Sequence, residues 1–596
     1  MPSYQAPVRD FQFVLHEMLQ LEKYSNVPGF EEATPDLIDA ILEEGGKFMA
    51  EVVQPLNQVG DSEGCTWTDG EVSTPTGFKE AYQTYCEAGW GGLTADPDYG
   101  GQGLPAVLGL VFSEMMSSAN MAFGMYPGLT HGAYAAIHNW GSEAQKRTYL
   151  PKMVSGEWTG TMNLTEPHCG TDLGLMRTKA VPNDDGSFAI SGTKIFISAG
   201  EHDLAENIIH LVLAKIPGGP EGIRGVSLFV VPKFLVNEDG SLGQRNGVGC
   251  GSIEEKMGIH GNATCVLNYD DATGWLIGEE HKGMRAMFTM MNAARLGVGI
   301  QGLSQSEVAY QNAVSYANER LQGRSITGTK EPDKAADPII VHPDIRRMLM
   351  TARAFNQGAR ALALWTGLHI DMASRHPDDK VRGEADDLAA LLTPVIKAYF
   401  TDMGFENAVG AMQCYGGHGY IREWGMEQFV RDARIAQIYE GANGVQALDL
   451  VGRKLPEKMG RLLRQFFHPV DAFIQEHQDN SEMEDFVLPL AKGFARLQTA
   501  TQHVALEGMR DADEAGAASS DYLRLFGLVA LGFMWAQMAK TAREKLAAGP
   551  DDPGFYEDKL ITGRFFMQRM LPDTGSLLSK VMAGADSMMA LKAEAF

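Results

Sequence analysis

The stretch GSFAISGTKIFISAG, Gly186 to Gly200, decides the fold class. It is a short run carrying Phe and Ile, opened by the turn residues Asn183-Asp184-Asp185-Gly186. HLVLAKI (210–216) and GVSLFVVPKFLV (225–236) repeat the pattern, and runs of this kind between turn residues read as strands. Residues 158–280 are therefore expected to form an antiparallel β domain, a small barrel. On both sides the pattern changes. PDLIDAILEEGGKFMAEVVQPLN (35–57) spaces its apolar residues by three and four, as an amphipathic helix does. The glycine-rich GWGGLTADPDYGGQGLP (89–105) interrupts that block as a loop. From Met284 to Arg324 the spacing predicts one helix of about ten turns. Residues 325–342 read as a polar surface loop, and helical spacing then resumes to about residue 450. Beyond Lys454 come further apolar helices without a chemical motif. The expected fold is α+β and mostly α. It has an N-terminal helical domain (1–157), a β-barrel domain (158–280), a helical bundle (281–453) and an extra C-terminal helical domain (454–596).

A chain of 596 residues is too long for one compact domain. Its formal charge is −26, from 50 basic and 76 acidic side chains, which argues against nucleic acid as a partner. The six cysteines form no CxxC pair and read as reduced thiols. MPSYQAPVRDFQF has no basic region followed by an apolar core, so no secretory signal is expected and the location is read as cytoplasmic. The longest apolar run, LFGLVALGFMWAQMA (525–539), is shorter than the ~20 residues that span a bilayer and reads as a buried helix.

Three segments carry chemistry. MNLTEPHCGTDL (162–173) is a tight loop of backbone N–H groups and hydroxyls, able to hold a phosphate or a polar ring edge. MQCYGGHGYIREWGMEQFVRDARI (412–435) contains glycines that let a ligand approach the backbone. Its His418 reads as a loop hydrogen-bonder, since no serine, cysteine or metal partner is evident. RIAQIYEGANGVQAL (434–448) reads as buried or half-buried chain on Ile435, Ile438, Val445 and Leu448, yet Glu440 sits in its middle. An unpaired buried carboxylate is costly and asks for a purpose.

Six motifs follow one another in order: LTEPxxGTD, KIFISAG (194–200), NAARLG (292–297), ANERLQGR (317–324), QCYGGHGY (413–420) and RDARIAQIYEG (431–441). Together they resemble the acyl-CoA dehydrogenase family over about residues 40–450. The full length, APVRDFQFVLHEM (6–18) and the extra C-terminal block resemble its four-domain bacterial subgroup. The resemblance implies FAD as cofactor, no metal, and oxidation of an acyl-CoA thioester to the trans-2-enoyl-CoA, with Glu440 as base. It implies Leu164 and Thr165 at the flavin edge, Thr171 near the pyrophosphate, and Phe196 and Ser198 beside the isoalloxazine. Arg295 matches the arginine near the substrate's adenosine end. Arg320 matches one that reaches the FAD of a neighbouring subunit, as do Gln413, Gly416 and Gly417, so at least a homodimer is expected. The subgroup points to 3-methylthiopropanoyl-CoA, from dimethylsulfoniopropionate breakdown, as substrate. Medium or long straight-chain acyl-CoA is the alternative. An electron-transfer flavoprotein is the expected acceptor, and an oxygen-using oxidase on the same scaffold the alternative. A nucleic-acid-binding flavoprotein of related fold would want a basic C-terminal face, which EHQDNSEMEDF (476–486) does not supply. One departure stands out. Where the family carries threonine and glutamine near the FAD adenine, this chain has Ala442 and Gly444.

Overall fold

The runs rich in Val, Ile and Phe do form strands. In the computed structural model, which describes residues 2–596, they are Trp158–Asn163 (β1), Lys179–Pro182 (β2), Phe188–Ser198 (β3), Asn207–Lys215 (β4), Val226–Pro232 (β5), Val248–Ile253 (β6) and Thr264–Ile277 (β7). They make a seven-stranded sheet in the order β6-β7-β3-β2-β4-β1, with β5 paired to both β7 and β4. Two pairings depart from the antiparallel expectation: β1 and β2 each run parallel to β4. Parallel strands need a long connection. The 43 residues from 164 to 206 supply it between β1 and β4, and β2 and β3 are built inside that connection. One face of the sheet packs Trp158, Leu211, Leu213, Leu228 and Val230 with Ala133 and Ile137 of the helix Met121–Trp140. The other buries Phe188, Ile190, Val212, Phe229, Val231 and Leu267.

The chain divides into two compact units. The sheet lies in the unit made of Phe48–Leu104 and Ala119–Gly297. That unit also holds a hairpin, Thr66–Thr68 with Glu71–Ser73, inside a block expected to be helical. Its turn is Asp69-Gly70, with positive φ at both residues, flanked by the paired Thr68 and Glu71. That is an ordinary hairpin signal.

The other unit comprises Met1–Lys47, Pro105–Ser118 and Val298–Phe596. Its main helices are Ala106–Ala119 (α1), Gly283–Glu319 (α2, here from Val298 on), Pro343–Arg375 (α3), Asp379–Cys414 (α4), Met426–Ile435 (α5), Asn443–Asp449 (α6), Ala512–Ala548 (α7) and Pro553–Arg569 (α8). α2 ends at Glu319, short of the expected Arg324, and Leu321 then bridges Pro338 across the surface loop. α2 and α4 cross in backbone contact. A Cβ on Gly404 would lie 2.2 Å from Gly302 O, so glycine is required there. Asp371 of α3 caps α1, accepting from Ala106 N (2.7 Å) and Val107 N (3.0 Å). The apolar run 525–539 falls inside α7. α7 is long and apolar enough to cross a membrane, but 89% of its apolar window is buried inside the protein. All six cysteines are free thiols, four of them buried.

Candidate active site

In the sheet unit the site begins at a defect in β3. Ile197 pairs with Cys265 and Lys194 with Leu267, so Ile195 and Phe196 together oppose Val266 alone. Such a bulge re-aims a side chain. Phe196 adopts φ +59° and turns outward, with 59% of its surface exposed. The loop after β1 is tied to this bulge. Ile195 N donates to Thr165 O (2.9 Å), and Lys194 Nζ donates to Leu164 O (2.9 Å). Lys194 is fully buried and pairs with Glu166 at 2.9 Å. Glu166 also accepts from Arg177 N, Thr178 N and Thr178 Oγ1. Burial would raise its pKa, but the Lys194 charge and these hydrogen bonds outweigh burial and hold it below the usual range. Glu166 comes together with His168 and Cys169, a grouping of metal-ligand type. Its carboxylate is already taken up by those four donors. The turn that follows is closed by Glu166 N to Cys169 O (2.9 Å) and Cys169 N to Glu166 O (3.0 Å), and it leaves Thr171 exposed.

Leu164, Thr165, Phe196 and Ser198 are thus brought together, with Thr171 on the same loop. Among the described residues, the hydroxyls of Thr165, Thr171 and Ser198 hydrogen-bond no other protein group. An outward aromatic face beside unspent hydroxyls fits a heteroaromatic ring with a polar edge, which is what FAD presents. Arg295, on the first part of α2, is 8% exposed, with its guanidinium 5.9 Å from the Phe288 ring.

In the helical unit, Glu440 lies in the turn between α5 and α6. It adopts φ +56°, followed by Gly441 at +84°. A left-handed non-glycine residue costs roughly 1–2 kcal/mol and persists only where its surroundings enforce it. Gln446, fully buried, donates its amide to Glu440 O (3.3 Å) and Gly441 O (3.1 Å). Asn443 N donates to Gln437 O (3.1 Å), closing the turn. Tyr439 donates its hydroxyl to Gln301 of α2, and burial together with the Glu440 charge raises its pKa. Glu440 itself is half-buried. Ile435 and Val445 are half-buried as expected, but Ile438 and Leu448 are 51% and 53% exposed. Ile438 lies in the turn itself, and Leu448 on the outer face of α6.

Arg320, Gln413, Gly416 and Gly417 all lie on the surface of the helical unit. Tyr316, one turn before Arg320, joins them. Its ring stacks on Tyr415 at 4.0 Å, and its hydroxyl hydrogen-bonds His418 Nδ1 at 2.9 Å. His418 stacks on Trp424 and has the structural role expected of it. A Cβ on Gly416, Gly417 or Gly444 would meet nothing within 4 Å. Ala442 and Gly444 follow Glu440 without side-chain hydrogen bonds, and Gly444 is exposed. Sequence reasoning overlooked Asn443, Lys397 and Asp402, which surround the turn. The available signal was the lysine in the apolar helical run LLTPVIKAYF (391–400).

Four family profiles match in sequence order. They are acyl-CoA dehydrogenase N-terminal domain (38–157), middle domain (161–272) and C-terminal domain (281–455), and acetyl-CoA dehydrogenase C-terminal like (466–592). A 3-methylmercaptopropionyl-CoA dehydrogenase of Ruegeria pomeroyi is 43% identical over 98% of this chain and 99% of its own. A butyryl-CoA dehydrogenase of Syntrophomonas wolfei is 35% identical over 100% and 99%. The solved structure of an acyl-CoA dehydrogenase complexed with FAD from Bacillus anthracis superposes with a TM-score of 0.71. It is 21% identical and covers 96% of this chain and 91% of that one.

Proposed function

The chain belongs to the acyl-CoA dehydrogenase family and is an FAD-dependent oxidoreductase, and on that premise we propose that it converts 3-methylthiopropanoyl-CoA to 3-methylthioacryloyl-CoA. The Glu440 carboxylate takes the proton alpha to the thioester. Such a proton is a very weak acid, so the base must be held close and poorly solvated. The observation that carries this assignment is the conformation of Glu440. Its left-handed backbone, with the Glu440 and Gly441 carbonyls held by Gln446, is the kind of enforced strain that gathers at active sites. The Glu440 N–H donates to the thioester oxygen and stabilises the developing enolate. When bound, FAD supplies the acceptor for the β-hydrogen, which leaves as hydride, so the Cα–Cβ single bond becomes double.

Leu164, Thr165, Phe196 and Ser198 hold the ring system, Thr171 the pyrophosphate, and Arg295 the adenosine end of the substrate. The exposed set Arg320, Gln413, Gly416 and Gly417, with Tyr420 82% exposed beside it, supports a homodimer in which each copy reaches its neighbour's FAD. The same reading divides the chain at residues 157, 280 and 453. The substrate choice rests on the relative from Ruegeria pomeroyi. The relative from Syntrophomonas wolfei supports the second reading, a straight-chain acyl-CoA dehydrogenase.

A turnover panel with 3-methylthiopropanoyl-, butanoyl-, octanoyl- and palmitoyl-CoA and an artificial electron acceptor tests the choice. The expected result is the highest kcat/KM for 3-methylthiopropanoyl-CoA, and a strong preference for palmitoyl-CoA contradicts it. Reduced enzyme is expected to reoxidise slowly in air, as an enzyme that serves an electron-transfer flavoprotein does. Rapid reoxidation identifies an oxidase.

A further inference from the structure

Resting on the assignment of Glu440 as base, we propose that Asn443 is its positioning residue, and that Asp402 and Lys397 of α4 hold Asn443 and the turn in register. Glu440 is the midpoint of a seven-residue loop, three residues after Gln437 and three before Asn443. Both stems of that loop end on one carboxylate. Gln437 Nε2 and Asn443 Nδ2 each donate to Asp402 Oδ1 at 2.7 Å. Asn443 Nδ2 also reaches Thr401 Oγ1 (2.9 Å) and Ala398 O (3.2 Å). Asn443 Oδ1 accepts from Lys397 Nζ at 2.9 Å, and Lys397 is fully buried.

These partners fix which way the amide points. An ammonium only donates and a carboxylate only accepts, so Oδ1 must face Lys397 and Nδ2 must face Asp402. No other side chain of this length offers an acceptor at one atom and two donors at the other. The platform beneath is rigid. Two residues beyond Asp402, Gly404 crosses α2 in backbone contact. With the stems pinned to α4, the apex takes the two left-handed conformations seen at Glu440 and Gly441. The backbone that carries the Glu440 carboxylate is therefore held in register by polar contacts from α4.

A polarity swap tests this. In Asn443→Asp a second carboxylate faces Asp402 where a donor sat at 2.7 Å. The pair Asn443→Asp with Asp402→Asn restores a donor facing an acceptor, and the carboxylate introduced at position 443 still accepts from Lys397. Holoenzymes are assayed with the best substrate of the panel and an artificial acceptor. Asn443→Asp is expected to lower kcat by about 100-fold, the scale of an ångström-sized misplacement of a reacting group. KM is expected to stay within about threefold, FAD content unchanged, and the isotope effect from α-deuterated substrate to rise. The double variant is expected to recover at least about tenfold of the loss. Asp402→Asn alone keeps one acceptor for two donors, and about a tenfold fall in kcat is expected.

A wild-type kcat in Asn443→Asp overturns the proposal, and so does a double variant no faster than Asn443→Asp. If Asn443→Asp does not fold, the double variant and Asp402→Asn carry the test. An inactive double variant, or wild-type kcat in Asp402→Asn, then overturns it. Glu440→Gln separates the two levels. If it turns over at the wild-type rate, the base assignment fails; if it is inactive while Asn443→Asp is not impaired, only the clamp fails.

Discussion

At the scale of single residues, the candidate flavin site of the sheet unit depends on a charge that the sequence gives no reason to bury. Lys194 sits in KIFISAG, a strand pattern read correctly, but alternation does not say which polar residue will be sealed inside. It is sealed because Glu166 and Leu164 O meet it there. Lys194→Met is expected to leave Glu166 buried without its countercharge and to cost about 3–5 kcal/mol, measured by chemical denaturation. The sign with pH follows. The folded pKa of Glu166 is depressed, so its stabilisation is complete above about pH 4, its unfolded value, and is lost as pH falls through the folded value. Lys194→Met is expected to weaken this acid dependence. The assignment of Glu440 comes from a motif that stands in a run of others, whereas Asn443 carries no such signal, since only the fold brings it against α4.

At the scale of elements, helices and strands followed their periods closely, and the misses have local causes. The hairpin at 66–73 was announced by Asp69-Gly70 but lay within a helical block. The parallel pairings of β4 depend on how a long connection routes, which no local pattern encodes. The join of α1 to α3 was equally hidden, since Asp371 caps a helix more than 260 residues earlier in the chain. Burial pushes its pKa up to about 6. Between about pH 4 and about 6 the folded state keeps a proton that the unfolded state has released, so stability falls as pH rises, by on the order of 3 kcal/mol. Asp371→Asn does not titrate. Urea midpoints across that range are expected to shift in the variant's favour relative to wild type as pH rises. A constant difference between the two proteins contradicts the raised pKa of Asp371.

At the scale of the whole molecule, the helical unit gathers distant segments around one buried guanidinium. Arg360 donates to Glu114 of α1 (2.9 Å), to Glu307 of α2 (3.1 Å) and to Asp10 near the N-terminus. Asp10 in turn accepts from Lys559 of α8. That network shows how the first residues and the C-terminal helices come to share one unit. It was invisible in a sequence where each member sits in a separate helical pattern. The C-terminal block thus serves the fold, while the chemistry is assigned to Glu440 and the FAD site. Rapid anaerobic mixing of holoenzyme with 3-methylthiopropanoyl-CoA, wild type against Glu440→Gln, tests that assignment directly. The account predicts that the yellow flavin absorbance of the wild type bleaches, while the folded, flavin-loaded variant binds the thioester and stays yellow. Equal bleaching in both proteins would contradict it.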